Sequence, residues 1–198
     1  MARPRFAAEE FFAAALAIAA EHGPAAATVG SISARLKAPV GSFYHRFASR
    51  DVLLGELWLR LVLEFRGGVP PVSDAESGLE AALYPARWAR ANLAKARLLL
   101  LYHRDDFVHG EWPEPLRDAV AAQARAIESG TARFARAVFG ADGPEELRRA
   151  EFLTAELPLA LIGQHLRRNE PPPPVVDELI AVTYRAVVAD YRSRPLQA

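Results

Sequence analysis

An all-α fold is what this sequence predicts, on three observations. Apolar residues recur at three- and four-residue intervals along almost the whole chain, the spacing that gives a helix one inward face. The periodic stretches are separated by helix breakers: Gly67, Gly68, Pro70 and Pro71, then Gly140, Gly143 and Pro144, then Pro171 to Pro174. No stretch alternates apolar and polar residues for long enough to make a credible strand. A hydrophobic content of 51% argues against disorder, and 198 residues suffice for one sizeable core or two coupled subdomains.

In chain order, the first helix is expected over about Ala7 to His22. Phe11, Ala15, Ile18 and His22 share a face, Phe12, Leu16 and Ala19 lie beside it, and Gly23 stands where a C-terminal cap belongs. Thr28 suits the N-cap of a short second helix with Val29, Ile32 and Leu36 inward. Lys37, Ala38 and Pro39 end it, because proline lacks an amide donor and restricts the residue before it. Pro39 also suits the first turn of a third helix, Val40 to Phe47. Phe43 and Phe47 anchor that helix inward, leaving Val40, Ser42, Tyr44, His45 and Arg46 outward or flanking. Two short helices so joined read as a helix-turn-helix, and the second fits a DNA major groove.

Ser49 caps a fourth helix reaching about Phe65, with Val52, Leu53, Leu57, Leu61 and Phe65 along its apolar stripe. Ser73 or Asp74 caps a fifth carrying Leu79, Leu83, Trp88 and Leu93, with a kink expected at Pro85. A short buried helix follows from Ala94 to about His103, then a loop from Arg104 to Trp112. Glu114 to Phe139 is a long amphipathic helix, and Glu145 to Arg167 an eighth, bent at Pro158. The prolines 171–174 make a stiff connector to a ninth helix, about Val175 to Tyr191.

Formal net charge is zero, so the whole molecule has no basic character that would suggest nucleic acid. The distribution is uneven: through Arg50, six cations (Arg3, Arg5, Arg35, Lys37, Arg46, Arg50) face three acids (Glu9, Glu10, Glu21), leaving an acidic remainder. The absence of cysteine excludes disulfides and thiolate metal sites and sits comfortably with a reducing, cytoplasmic setting. Arg3 and Arg5 ahead of FFAAALAIAA resemble a secretion signal, but Glu9 and Glu10 interrupt it.

The run Ile32, Gly41, Tyr44, His45, Phe47, Ser49, Arg50 and Asp51, with Phe11, Phe12, Ala14, Ala15, Leu16, Ile18, Gly23, Thr28 and Val29 upstream, resembles the TetR family of one-component bacterial regulators. Two positions depart from its pattern: Lys37 stands where the family usually has glycine, and Pro39 where it has a small hydroxyl residue. The resemblance implies a DNA-binding domain over residues 1–48 and an effector-binding and dimerisation domain over 49–198, about nine helices in all. It implies Val40, Ser42 and Phe43 near base edges and Tyr44 and His45 on phosphates, with Thr28, Ser31, Lys37 and Arg50 as further backbone contacts. It implies a homodimer on a palindromic operator, with the last two helices of each subunit paired. Leu157, Leu161, Leu179 and Val187 are the residues expected at that interface.

Trp58, Phe65, Tyr84, Trp88, Tyr102, Phe107 and Phe134 are the aromatics expected to line a pocket for a small-molecule effector, and aromatics at helical spacing equally serve as plain core. His103, Asp105, Asp106, His109 and Glu111 crowd one segment, yet no second helix carries the Glu-x-x-His pattern of di-metal bundles, so no metal or cofactor is expected. No nucleophile elbow or phosphate-cradling glycine loop is present, and an enzyme is not expected. The second reading, kept alive by Lys37 and Pro39, is an all-α ligand- or metal-binding protein that no longer reads DNA.

Overall fold

The computed structural model describes residues 6–103, 106–107 and 112–193, and every regular element among them is helical. In chain order these are α1 (Ala8–His22), α2 (Val29–Leu36), α3 (Val40–Tyr44), α4 (Arg50–Gly67), α5 (Ala75–Ala91), α6 (Leu93–Leu101), α7 (Glu114–Phe139), α8 (Pro144–Glu151), α9 (Leu157–Arg167) and α10 (Val175–Ser193). A π turn, Phe152–Glu156, runs α8 into α9, so the described residues make nine helical rods, as expected. Arg3, Arg5, Asp105, His109 and Glu111 lie outside the described residues.

Contacts divide the chain into two compact units, Met1–Glu64 with Ala94–Ala121, and Phe65–Leu93 with Ala122–Ala198. The divisions fall inside α4 and α7 and after the first residue of α6.

The first unit is organised around phenylalanines. Phe11 and Phe43 are fully buried, with ring centroids 5.8 Å apart edge to face, and Phe47 lies 6.0 Å from Phe11 and 5.5 Å from Phe43. Burying a phenylalanine contributes about 1.5–3 kcal/mol, so these rings hold together helices too short to persist alone. The cluster is completed from beyond α5: Leu98 and Phe107 are fully buried in it and Tyr102 packs at its margin. Arg97 Nε donates to the Ala20 carbonyl at 3.0 Å, and a Cβ at Gly23 would lie 3.2 Å from the Tyr102 hydroxyl.

Helix ends follow the expected chemistry. Thr28 accepts from the Ser31 amide while Ser31 accepts from the Thr28 amide, a reciprocal box at the start of α2. Ser49 Oγ accepts from the Val52 amide, and Asp74, rather than Ser73, caps α5 by accepting from the Ser77 amide at 2.8 Å. That amide, and then the Ser77 hydroxyl, hold the Asp74 carboxyl below its ordinary range.

At the end of α2, Lys37 is left-handed (φ 53, ψ 36), its amide donating to Ala34 and that of Ala38 to Ser33, the paired bonds of a Schellman turn. Asn169 closes α9 in the same way at φ 59. A side chain at Lys37 costs about 1 kcal/mol relative to glycine. Lys37→Gly is therefore expected to raise stability by about that amount in a denaturant titration, and a fall in midpoint would contradict it.

Two details differ from expectation. Pro39 (φ −57, ψ 139) sits one position before α3, where its carbonyl accepts from the Ser42 amide at 2.9 Å. α3 ends at Tyr44 rather than Phe47, and the chain closes through turn bonds from His45 to Gly41 and from Phe47 to Phe43. Pro85, where a kink is expected, lies inside α5.

In the second unit α10 lies on α5. Tyr184 donates to the Ala75 carbonyl at 2.8 Å, burial pushes its phenol up to about 12, and Gly78 has no side chain because a Cβ would strike Tyr184 and Val138. The proline connector is clamped by Arg90, which donates to the Pro172 carbonyl at 2.9 Å and pairs with Asp177 at 2.8 Å. Ahead of Pro158 the π turn absorbs the missing donor, with the Leu157 amide reaching back to Phe152.

Candidate nucleic-acid interface

The tight turn at Lys37 and the burial of Phe43 together decide which face of α3 looks outward. Val40 and Tyr44, one helical turn apart, are 48% and 58% exposed, and Lys37 and His45 flank them in solvent. Ser42 is half-buried at the edge. A Cβ at Gly41 would meet nothing within 4 Å, so the backbone of α3 stands open between Val40 and Tyr44. Thr28 is exposed at the start of α2, but its hydroxyl and that of Ser31 are engaged in the cap, and Ser31 Oγ also donates to the Ala26 carbonyl at 2.8 Å. The capping bonds leave the Val29 and Gly30 amides at the helix end, where intrahelical partners do not exist.

Two of the residues expected at DNA are turned inward. Phe43 is 0% exposed beneath α3, packed on Phe11 and Phe47, and reaches no base edge; it holds α3 up from below. Arg50 is turned inward: Nε donates to the Ala27 carbonyl at 3.0 Å, Nη2 to the Pro24 carbonyl at 2.7 Å, and Nη1 to Asp51 at 2.9 Å. Its fork ties the start of α4 to the turn before α2. Arg50→Ala should then lower stability by about 1.5–3 kcal/mol, the range for hydrogen bonds to a charged group, and leave the salt dependence of DNA binding unchanged. A shallower salt slope at unaltered stability would return Arg50 to the phosphates.

Residues 11–57 match the family model of bacterial regulatory proteins of the tetR family, and this span contains α2, the turn and α3. The first quarter of the chain matches the TetR family. A transcriptional regulator from Rhodococcus sp. Rha1 shares the fold, with a TM-score of 0.64 at 18% identity over 96% of this chain and 100% of the other. The fatty acid degradation regulator FadR from Bacillus halodurans is more distant, with a TM-score of 0.43 at 15% identity over 92% of this chain and 94% of that one. No curated protein matches the chain.

The aromatics expected to line one effector pocket are distributed over separate clusters. Trp58, Tyr102 and Phe107 belong to the first unit, with Phe107 fully buried among the phenylalanines. Phe65 stacks with Tyr84 and Trp88 in the second unit, at centroid distances of 5.1 and 5.0 Å. Phe134 meets Tyr184 edge-on at 6.5 Å. Of the expected interface residues, Leu179 is 49% exposed, whereas Leu157, Leu161 and Val187 are half-buried.

No group of acidic and histidine side chains among the described residues could hold a metal ion. None of the described helices is long and apolar enough to cross a membrane.

The open face of α3 was legible in the sequence. What sequence reasoning missed was the inward role of Arg50, and the signal available was the adjacent Asp51, which turns the guanidinium toward the protein.

Proposed function

We propose that this TetR-family protein is a homodimeric, sequence-specific DNA-binding regulator acting in the cytoplasm, a repressor released from a near-palindromic operator by a small-molecule effector. The observation that carries this reading is the outward face of α3, where Val40, Ser42, Tyr44 and His45 stand over a rigid phenylalanine base with Lys37 beside them. Val40 and Ser42 are assigned to base edges; Tyr44, His45, Lys37 and the α2 start, with Thr28 and Ser31, to phosphates.

Dimerisation is supported by α10, which has two apolar faces. Val176, Ile180, Tyr184 and Val188 are buried on one. On the opposite face Val175, Leu179 and Val182 are 49%, 49% and 64% exposed, and Ala186 and Ala189 continue the stripe in solvent. A contiguous exposed apolar stripe on a helix marks an interaction surface, and a second copy of the same stripe is its simplest complement.

Selection from random duplexes tests the reading. It should return an inverted repeat whose half-sites lie about 34 Å apart, and affinity should fall steeply with salt. Val40→Ala or Ser42→Ala should change the selected sequence. Lys37→Gly should preserve it while lowering the salt slope by about 0.9 for each phosphate no longer neutralised. Binding without dyad symmetry and without a salt slope would favour the ligand-binding reading.

A further inference from the structure

Lys37 presents an amine that the fold does not use. Of the 24 lysine and arginine residues only two are lysines, Lys37 and Lys95. Lys95 is engaged: its Nζ donates to both carboxylate oxygens of Glu64, at 2.6 and 2.8 Å, and its side chain is 33% exposed. Lys37 is exposed, and its side chain makes no hydrogen bond or ion pair with any described residue. Its backbone closes α2 in the left-handed conformation (φ 53), where glycine would carry no strain and would form the same turn. The fold is thus strained for a side chain from which it draws no contact, so the use of that side chain lies outside the chain. Arginine would serve a phosphate contact and keeps its charge permanently. What lysine alone adds is a nitrogen that can be acylated, which removes the charge.

We propose that Lys37 is an acylation site, and that amide formation at its Nζ weakens DNA binding by α2 and α3 without altering which sequence is preferred. The donor is a small activated carboxylic acid, an acyl phosphate, which an exposed turn meets without a dedicated pocket. The ammonium gives one proton to water and Nζ adds to the acyl carbon. The N–C bond forms as the C–O bond to phosphate breaks, and hydrogen phosphate leaves with a second proton; no oxidant or reductant is needed. The product is a neutral amide beside the exposed Val40 and Tyr44. A phosphate met at this point is then no longer neutralised, while the side chains of α3 that face the bases are untouched. The inference rests on the DNA-binding reading above for its effect, but not for the chemistry at Nζ.

The test uses the full chain and acetyl phosphate, with the reagent removed before each measurement. Peptide mass spectrometry should find Lys37 acetylated ahead of Lys95. The treated protein should bind the selected operator more weakly, with a salt slope lower by about 0.9 for each phosphate no longer neutralised. Lys95→Arg should respond to treatment as wild type does, whereas Lys37→Arg, compared with itself before and after treatment, should not respond. Selection from random duplexes by the acetylated protein should return the same half-site. Lys95 modified as fast as Lys37, a changed half-site, or a loss of binding that survives Lys37→Arg would overturn the proposal. The two readings fail separately. Acetylated Lys37 with unchanged affinity and salt slope refutes the switch while DNA binding stands; an untreated chain that binds no duplex refutes the DNA-binding reading, and the switch with it, even where Lys37 is the first lysine modified.

Discussion

Val182→Glu should convert the dimer to monomers and reduce operator affinity about a hundredfold or more. Val182 is 64% exposed on the outer stripe of α10, so within one chain the substitution touches little and should change stability by about 0.5 kcal/mol or less. Between two copies it would set charge against charge in an apolar seam, where an unpaired carboxylate is costly. Loss of the dimer removes the tether that makes the second half-site encounter intramolecular, an advantage of about 10²–10⁴. Sedimentation with parallel operator titration measures both. A folded dimer that still bound the operator would place the interface off this stripe. The half-buried Leu161 is a poorer probe, because glutamate there would disturb the fold and the interface together.

Phe43→Ala should cost about 3–5 kcal/mol and abolish DNA binding. The side chain is fully buried and its ring meets Phe11, Tyr44 and Phe47 at centroid distances of 5.8, 5.4 and 5.5 Å. The five residues of α3 have no helical stability of their own, so the hole left by the ring removes the floor on which the reading face rests. Thermal unfolding followed by circular dichroism should show the loss, and Phe43→Leu should recover part of it. If Phe43→Ala kept both wild-type stability and operator affinity, the phenylalanine floor would not be what positions α3.

Helices, caps and the reading face were legible because each depends on neighbours close in sequence. The spacing of Phe11, Ile32, Phe43 and Phe47 gives their burial directly, and hydroxyl or carboxylate residues at Thr28, Ser49 and Asp74 mark helix starts by local hydrogen bonding. Lys37 was legible as a left-handed turn residue only through the resemblance, which puts glycine at its place, since lysine has no preference for that conformation. What stayed hidden depends on distant partners. An arginine looks the same in a sequence whether it meets phosphate or, as Arg50 does, two carbonyls more than twenty residues upstream. Leu98 and Phe107 join the phenylalanine cluster from far along the chain, and no periodicity announces that. For the same reason a composition rich in aromatics did not reveal that they separate into distinct clusters.

The π turn at Phe152–Glu156 also alters how this part of the chain is aligned with others. It holds one residue more than an α-helical turn would, and each residue advances a helix by about 100°. A helical wheel drawn unbroken from Pro144 to Arg167 is therefore out of phase by about that angle past Glu156, and Leu157 and Leu161 projected from the earlier half fall on the wrong side. A homologue lacking one residue here would keep a straight rod and the same outward face only if its pattern of apolar residues shifted by one step at this point. An alignment gap of a single residue within 152–156 is then a change of winding rather than a loss of structure, and the two flanks are best compared as separate blocks.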